Sequence, residues 1–536
     1  MTTLTPPMTS GLTRRQTLTI LSGLLLGMFL ASLDQTIVST AMRTIADKLD
    51  GQTAQAWVTT AYLVTSTVST PLYGKLSDIY GRKRFYLFAI VVFLIGSVLC
   101  GQAHSIYELA AWRALQGLGA GGLLSLAFAI IGDLVAPRER AKYQAYFTSV
   151  FAASSVLGPV LGGFFAGADT IGGIDGWRWI FYLNVPIGLA ALYVVSRNLH
   201  LPSRRSDRAI DYLGAALLTS TVVPILLIAE KGRDWGWTSG LTLGMGTIAV
   251  LSLLSFIPRE SRMGEDAILP LRIFRDRVFS VTVVVAFLVG MVMFGGLVMM
   301  PLYLQIVKQQ SPTAAGLEMT AFMVGLMGSS LTVGRLMMKT GRYRVFPIIG
   351  TSVMFVGMLL FSTLSVDTSI PRVMAYTVVV GIGLGLTMQM LVIAVQNALP
   401  PQDMGLSTSS VTFFRSMGGT MGAATGLAIL FSTVRGHIID RAEAAGFPSD
   451  ALGRIRTVSL DNTENFGKLP AIARRVVLQG FADSMHTVFL TMAGVVVLAF
   501  IGTWFIKEVP LRTQGGLEAQ STEADGERAM AETAIV

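Results

Sequence analysis

The chain has 536 residues, 52% of them hydrophobic and only 14% charged. An ordinary soluble protein carries roughly 25% charged residues, so lipid must be the main solvent here. The net charge of +9 does not imply nucleic acid, because most basic residues fall in short loops between apolar runs. A lone Cys100 rules out an internal disulfide framework, and the four histidines (His104, His200, His437, His486) are too scattered for a metal site.

The chain starts with T-R-R-Q-T-L, faintly like a twin-arginine signal. The apolar run behind it continues through Asp34, and many more follow, which argues against cleavage. Apolar runs of about 20 residues can each cross the hydrocarbon core as a helix. Fourteen are predicted: 17–42, 55–73, 85–102, 107–131, 143–166, 178–197, 211–229, 240–258, 279–306, 313–334, 345–364, 372–398, 406–433 and 485–507. The expected organisation is an N-terminal segment 1–16, a six-helix bundle 17–197, and a linker 198–278 with two inserted helices. A second six-helix bundle covers 279–507, and a polar tail 508–536 is expected to be disordered.

Arg14/Arg15, Lys75 with Arg82 to Arg84, Arg138/Arg140/Lys142, Arg204/Arg205/Arg208, Arg272/Arg275/Arg277 and Arg342/Arg344 all fall on one side of these spans. The positive-inside rule places that side, and both termini, in the cytoplasm of a bacterial cell membrane. Segment 434–484 falls outside despite its arginines, since long loops cross largely regardless of charge. It reads either as a partly ordered loop or, near 471–481, as an amphipathic helix extending the last span; it could also meet an envelope partner.

The charged loop Gly74–Arg84, G-K-L-S-D-I-Y-G-R-K-R, has a worn copy at Gly334–Arg344, G-R-L-M-M-K-T-G-R-Y-R, with Met338 where the first has Asp78. The repeat is broader: G-L-G-A-G-G-L-L-S-L from Gly117 echoes G-I-G-L-G-L-T-M-Q-M from Gly381, and Leu157–Gly163 echoes Met417–Ala423. Six spans, two inserted spans, then six again is the kind of internal repeat that transporters show. Within the loop, Asp78 and Arg82 are one turn apart and Asp133 ends the fourth span on the same side. An ion-pair latch explains the acids and the glycines Gly74 and Gly81; plain topology explains only the arginines.

These residues resemble the major facilitator superfamily, and specifically its fourteen-span drug:proton antiporter branch (the EmrB/QacA type). Gly74–Arg84 is similar to the superfamily's signature loop, L-D-Q-T-I-V-S-T-A-M at Leu33–Met42 to the branch's first-span motif, and W-R-A-L-Q-G-L-G-A-G at Trp112–Gly121 to its fourth-span motif. Gly158–Gly163 resembles the fifth-span antiporter motif, and W-R-W-I-F-Y-L-N-V-P-I-G at Trp177–Gly188 the opening of the sixth span. Two departures stand out: Arg43 where proline is common, and Glu318 where the branch is apolar. The resemblance implies an all-α integral membrane protein with two pseudo-symmetric six-helix bundles plus two inserted helices. It implies no enzyme activity, metal or cofactor, with the proton gradient as energy source.

Asp34 sits well inside the first span, where an isolated carboxylate is costly. It is either a proton or cation site, or a structural carboxylate bonded to neighbouring helices. Arg113, permanently charged, is a candidate partner for it or an interfacial residue snorkelling outward; the resemblance implies a role in proton movement. Glu318 reads equally as a second protonatable group or an interfacial carboxylate. Gln35, Thr36, Gln116, Gln389 and Arg415 are candidate cavity residues. Gly158, Pro159, Gly162 and Gly163 would let the fifth span pack closely and bend. Methionines such as Met299, Met300, Met388 and Met390 could adapt to varied apolar cargo, or be core. The expected function is proton-coupled multidrug efflux of amphipathic, often cationic compounds by alternating access. Export of lipid, glycolipid or siderophore is the alternative, and a non-transporting sensor or adaptor a third reading.

Overall fold

A computed structural model describes residues 14–50, 54, 56–135, 137–199, 211–264, 266–310, 312–400, 403–447 and 470–511. The first half comprises α1 (Arg14–Lys48), α2 (Ala56–Tyr80), α3 (Arg82–Gln102), α4 (Ile106–Leu134) and α5 (Pro137–Gly167). A two-stranded hairpin, β1 (Thr170–Ile171) and β2 (Ile174–Asp175), leads into a sixth span broken into α6 (Trp179–Tyr182) and α7 (Asn184–Asn198). The inserted pair is α8 (Tyr212–Trp235) and α9 (Gly240–Met263). The second half has α10 (Arg277–Leu302), α11 (Pro312–Glu318), α12 (Thr320–Thr340), α13 (Val345–Ser362), α14 (Ile370–Ala398), α15 (Met404–Ala444) and α16 (Ala471–Trp504).

Among the described residues, thirteen spans are long and apolar enough to cross a membrane. The fourteenth, α2, misses that description because it is rich in Ser and Thr and carries Lys75 and Asp78. It lies against α4, α8 and α15 rather than lipid, and its run Thr67–Pro71 is buried. Its hydroxyls bond carbonyls one turn back, as Thr65 does to Ala61 at 2.9 Å and Thr70 to Ser66 at 2.8 Å. Polar side chains so satisfied are tolerated within a bundle.

The helix contacts repeat. In the first half α1 packs on α5, α4 and α7, α4 on α2 and α3, and α3 on α7; in the second α10 packs on α15, α14 and α16, α14 on α12 and α13, and α13 on α16. The halves meet through α2 on α15 and α5 on α12, the two members of one swapped pair. Eight helices thus close a ring in the order α2, α4, α1, α5, α12, α14, α10, α15. Glycines at repeat-related places set these contacts. A Cβ on Gly119 would lie 2.6 Å from Phe93 N and 2.7 Å from Ala89 O; one on Gly383 would lie 2.7 Å from Met354 N and Gly350 O. Gly158 and Gly162 likewise press α5 onto Thr36 and Ile37 of α1, as Gly418 and Gly422 press α15 onto α10. Gly163 differs from the expectation for its motif, having nothing within 4 Å. Pro159 instead meets Gly316 of α11, across the boundary between halves. Met299, Met300 and Met390 are buried in the second half's core, which settles them as packing residues.

Segment 434–484 departs from a loop at both ends. α15 runs 41 residues, about 60 Å at 1.5 Å per residue and twice the hydrocarbon thickness. α16 starts at Ala471, so the last span is extended as the amphipathic reading proposed. The two extensions are stitched by Arg441 to Asp483 at 2.7 Å and His437 to Ser484 at 2.8 Å; residues 448–469 lie outside the described residues. The tail also begins in order: Asn397 donates to the carbonyls of Val509 and Pro510, each at 3.2 Å, and the Tyr343 hydroxyl donates to Lys507 O at 3.0 Å. Residues 512–536 lie outside the described residues.

Backbone contact at Gly119 leaves no room for a side chain. Gly119→Leu should lower stability by about 1–3 kcal/mol or prevent folding, whereas Gly163→Leu should stay within about 0.5 kcal/mol. Thermal melting of the two purified variants in detergent checks this, and equal melting would contradict the assigned packing.

Candidate functional site: a buried charge pair and an ion-pair latch

Asp34 occupies the middle of α1 and is fully buried. The start of α4 is held by reciprocal capping: the Ser105 hydroxyl accepts from Glu108 N at 3.2 Å, and the Glu108 carboxylate accepts from His104 N at 2.9 Å. About two turns further along, buried Arg113 donates from Nη1 to Asp34 Oδ2 at 2.5 Å and to Gln116 Oε1 at 2.7 Å. Gln116 Nε2 donates to Asp34 Oδ1 at 2.9 Å. The guanidinium also lies over the Tyr62 ring, 4.0 Å from its centroid. The break between α6 and α7 supplies one more donor. Arg178 and Tyr182 both donate to Gly101 O, at 2.7 and 3.0 Å, and so pin this segment on α3. Asn184 Nδ2 then reaches Asp34 Oδ1 at 2.7 Å and Ser97 Oγ at 2.9 Å.

The carboxylate therefore has a charged partner and two amide donors in a space closed to water. The network is not saturated: Arg113 Nε and Asn184 Oδ1 are buried without a hydrogen-bond partner. Such a pair is held by mutual compensation, and removing one charge leaves the other stranded, a loss of about 3–5 kcal/mol.

The second constellation is at the end of the bundle where α2 turns into α3. Gly81 makes that turn at φ 98°, a left-handed value that favours glycine, and Gly341 makes the copy's turn at φ 69°. Arg82 pairs with Asp78 on α2 and donates from Nε to Asp133 Oδ2 on α4 at 2.7 Å, and from Nη1 to Ser77 Oγ at 2.6 Å. The cluster does not stop at its own half. Asp78 Oδ2 accepts the backbone N–H of Leu406 at 3.0 Å, in the first turn of α15. Two carboxylates and one guanidinium leave one negative charge facing a helix N-terminus, a favourable charge–dipole contact. Gly405 lies directly beneath Asp78 and Arg82, and a Cβ on Gly74 would strike Ser409. Arg272 of the linker pairs with Asp403, the residue just before α15, at 3.0 Å. The copy works differently: lacking the acid, Arg344 donates to Trp504 O at 2.8 Å and the loop holds the chain beyond α16.

Asp34 and Arg113 come together, as do Asp78, Arg82 and Asp133. Gln116, expected at a substrate cavity, belongs instead to the Asp34 network. Thr36 donates to Ser154 O at 3.0 Å and meets Gly158, so it joins α1 to α5 rather than lining a cavity. Gln35, Gln389 and Arg415 are half-buried. Glu318 ends α11 beside α5, with Oε2 buried and unbonded, and shares no hydrogen bond with Asp34. Sequence reasoning missed Asn184, Ser97, Tyr62 and Gly405. An asparagine within the apolar W-R-W-I-F-Y-L-N-V-P-I-G run was the one available signal; the others look like ordinary helix residues.

Comparison with known proteins follows the same lines. Multidrug transporter protein MdtP of Bacillus subtilis is 32% identical over 524 residues, covering 94% of this chain and 95% of that protein. An uncharacterized MFS-type transporter of Mycobacterium tuberculosis is 36% identical over 493 residues, 92% of this chain and 70% of that one. The structure of the proton:xylose symporter XylE bound to 6-bromo-6-deoxy-D-glucose superposes with a TM-score of 0.62, covering 94% of this chain and 98% of that chain, at 14% identity, which speaks to fold alone. Residues 24–423 match the sequence pattern of the Major Facilitator Superfamily. This multi-pass membrane chain belongs to that superfamily.

Proposed function

We propose that the protein is a proton-coupled efflux antiporter of the fourteen-span drug-exporter branch, working by alternating access in a bacterial cell membrane. The observation that carries the reading is the Asp34–Arg113 pair, buried at mid-helix and held by Gln116 and Asn184. Relatives named as multidrug transporters and efflux pumps support export as the direction of transport. The basic residues at the latch end support a cytoplasmic position for that end.

A proton arriving from outside neutralises Asp34 and strands the Arg113 charge in a dry site. The loss, about 3–5 kcal/mol, is close to the roughly 5.5 kcal/mol needed to invert a two-state equilibrium from 1:99 to 99:1. One buried pair can therefore drive most of the switch. Arg113 regains solvation only if its surroundings open, and α4 carries both Arg113 and Asp133, so movement there loads the latch. With Asp78 holding α15, the latch end is closed; releasing it opens the path to the cytoplasm, where Asp34 gives up its proton and cargo enters.

Asp34→Asn keeps the side chain's shape and removes the titration. Ethidium efflux driven by a pH gradient in reconstituted vesicles should fall by about 100-fold while the protein still folds. Fully coupled efflux by this variant would overturn the role given to Asp34. Gly405→Val should push Asp78 and Arg82 apart and loosen the closed end. Spin labels on Tyr80 and Lys339 should then show longer, broader distances by pulsed electron resonance. An unchanged distribution would count against the latch.

A further inference from the structure

Arg415 is a charge that the proton site and the latch leave unused. It lies about three turns into α15, its backbone carbonyl against Gly290 of α10. Thr408, two turns earlier on the same face, accepts from Gln396 Nε2 of α14 at 2.8 Å. Gly419, one turn later, faces the Phe294 ring of α10. Residues spaced i, i+7, i+11 share one helix face, and this one looks into the eight-helix ring, away from the Phe414 face that packs on Phe274 of the linker. Gln389 stands two turns before Gln396 on α14, which runs antiparallel, so it shares the level of Arg415. Arg415 is half-buried, so part of its surface remains accessible. Among the described residues it has no hydrogen bond, ion pair or ring contact.

We propose that Arg415 is the anion-recognising group of the transport pathway, and that the favoured cargo is an amphipathic compound bearing a carboxylate or a similar oxyanion. This rests on the export reading and sharpens it, because the ring interior then holds a carboxylate-bearing compound more tightly than its purely cationic counterpart, which is still carried. A guanidinium presents a planar fork of donors that matches a carboxylate edge to edge. Asp34 is neutralised by Arg113 and turned away into the α4–α7 network, so it does not cancel this charge. The Phe294 and Met388 side chains, both half-buried, offer an apolar and adaptable surface for the rest of such a molecule.

The test uses two dyes that differ in one group: rhodamine 110 carries a free carboxylate, and rhodamine 123 is its methyl ester. Binding to the purified full-length protein is read by fluorescence anisotropy. The native protein should prefer rhodamine 110 by about 10-fold or more, as a charge-assisted hydrogen bond implies. Arg415→Gln should bring the ratio near one by weakening the acid and sparing the ester, and Arg415→Lys should keep part of the preference. Equal binding of both dyes by the native protein, or an unchanged ratio in Arg415→Gln, would overturn the proposal. The ratio is unaffected by a partly unfolded sample. A carboxylate preference in binding with neither dye exported from energised vesicles would support the Arg415 assignment and sink the export reading alone.

Discussion

Hydrocarbon offers no partner to a charge or a free backbone amide, and the whole architecture follows from that constraint. Each span is helical because only then are its amides satisfied within the segment. Asp34, Arg113, Arg82 and Asp133 lie inside the bundle, where other charged groups answer them. The Asp34–Arg113 pair is the sharpest case. Its partners come from α1, α4 and α7, so three helices must hold position for the two charges to remain compensated. The same dependence is what the proposed coupling would use, since a single proton on Asp34 would remove the compensation.

Close packing turns that local event into a larger one. α4 carries Arg113 and Gln116 at one level and Asp133 at the latch, about 30 Å apart at 1.5 Å per residue. Glycines along it, including Gly117, Gly119 and Gly121, press its backbone against α2 and α3. A helix seated this tightly moves with its neighbours. The Asp78–Arg82–Asp133 cluster is tied across the boundary, because Asp78 holds the first turn of a helix in the other half. The halves are related in helix contacts but not in chemistry. Met338 removes the acid from the copy, and its loop holds the chain beyond α16 in place of a latch.

Much of the fold was legible. Apolar runs marked fourteen spans, the repeat related the halves, and the small residues of the fifth span pointed to close packing there. The second run, 55–73, is a helix too, although its hydropathy is low; its hydroxyls bond carbonyls within the helix and it packs on other helices. The helical extensions beyond the thirteenth and fourteenth spans were harder to read. Their sequence is polar enough for a loop, and they are held by pairings such as Arg441 with Asp483 that link residues far apart in the chain.

The sequence alone determined what was charged, what was apolar and what recurred, since those properties belong to single residues and their spacing. It therefore identified Asp34, Arg113, Asp78, Arg82 and Asp133 as charges that need an explanation. Only the tertiary structure decided which of them meet, because their partners lie far apart in the chain, Asn184 150 residues from Asp34 and Leu406 328 from Asp78. It moved Gln116 from the cavity to the charge pair and Thr36 from the cavity to a helix seam. It also showed Gly405 as the floor of the latch and Arg415 as a charge left open to the interior. Those assignments depend on which face of each helix turns inward, and the packing of the whole ring sets that orientation.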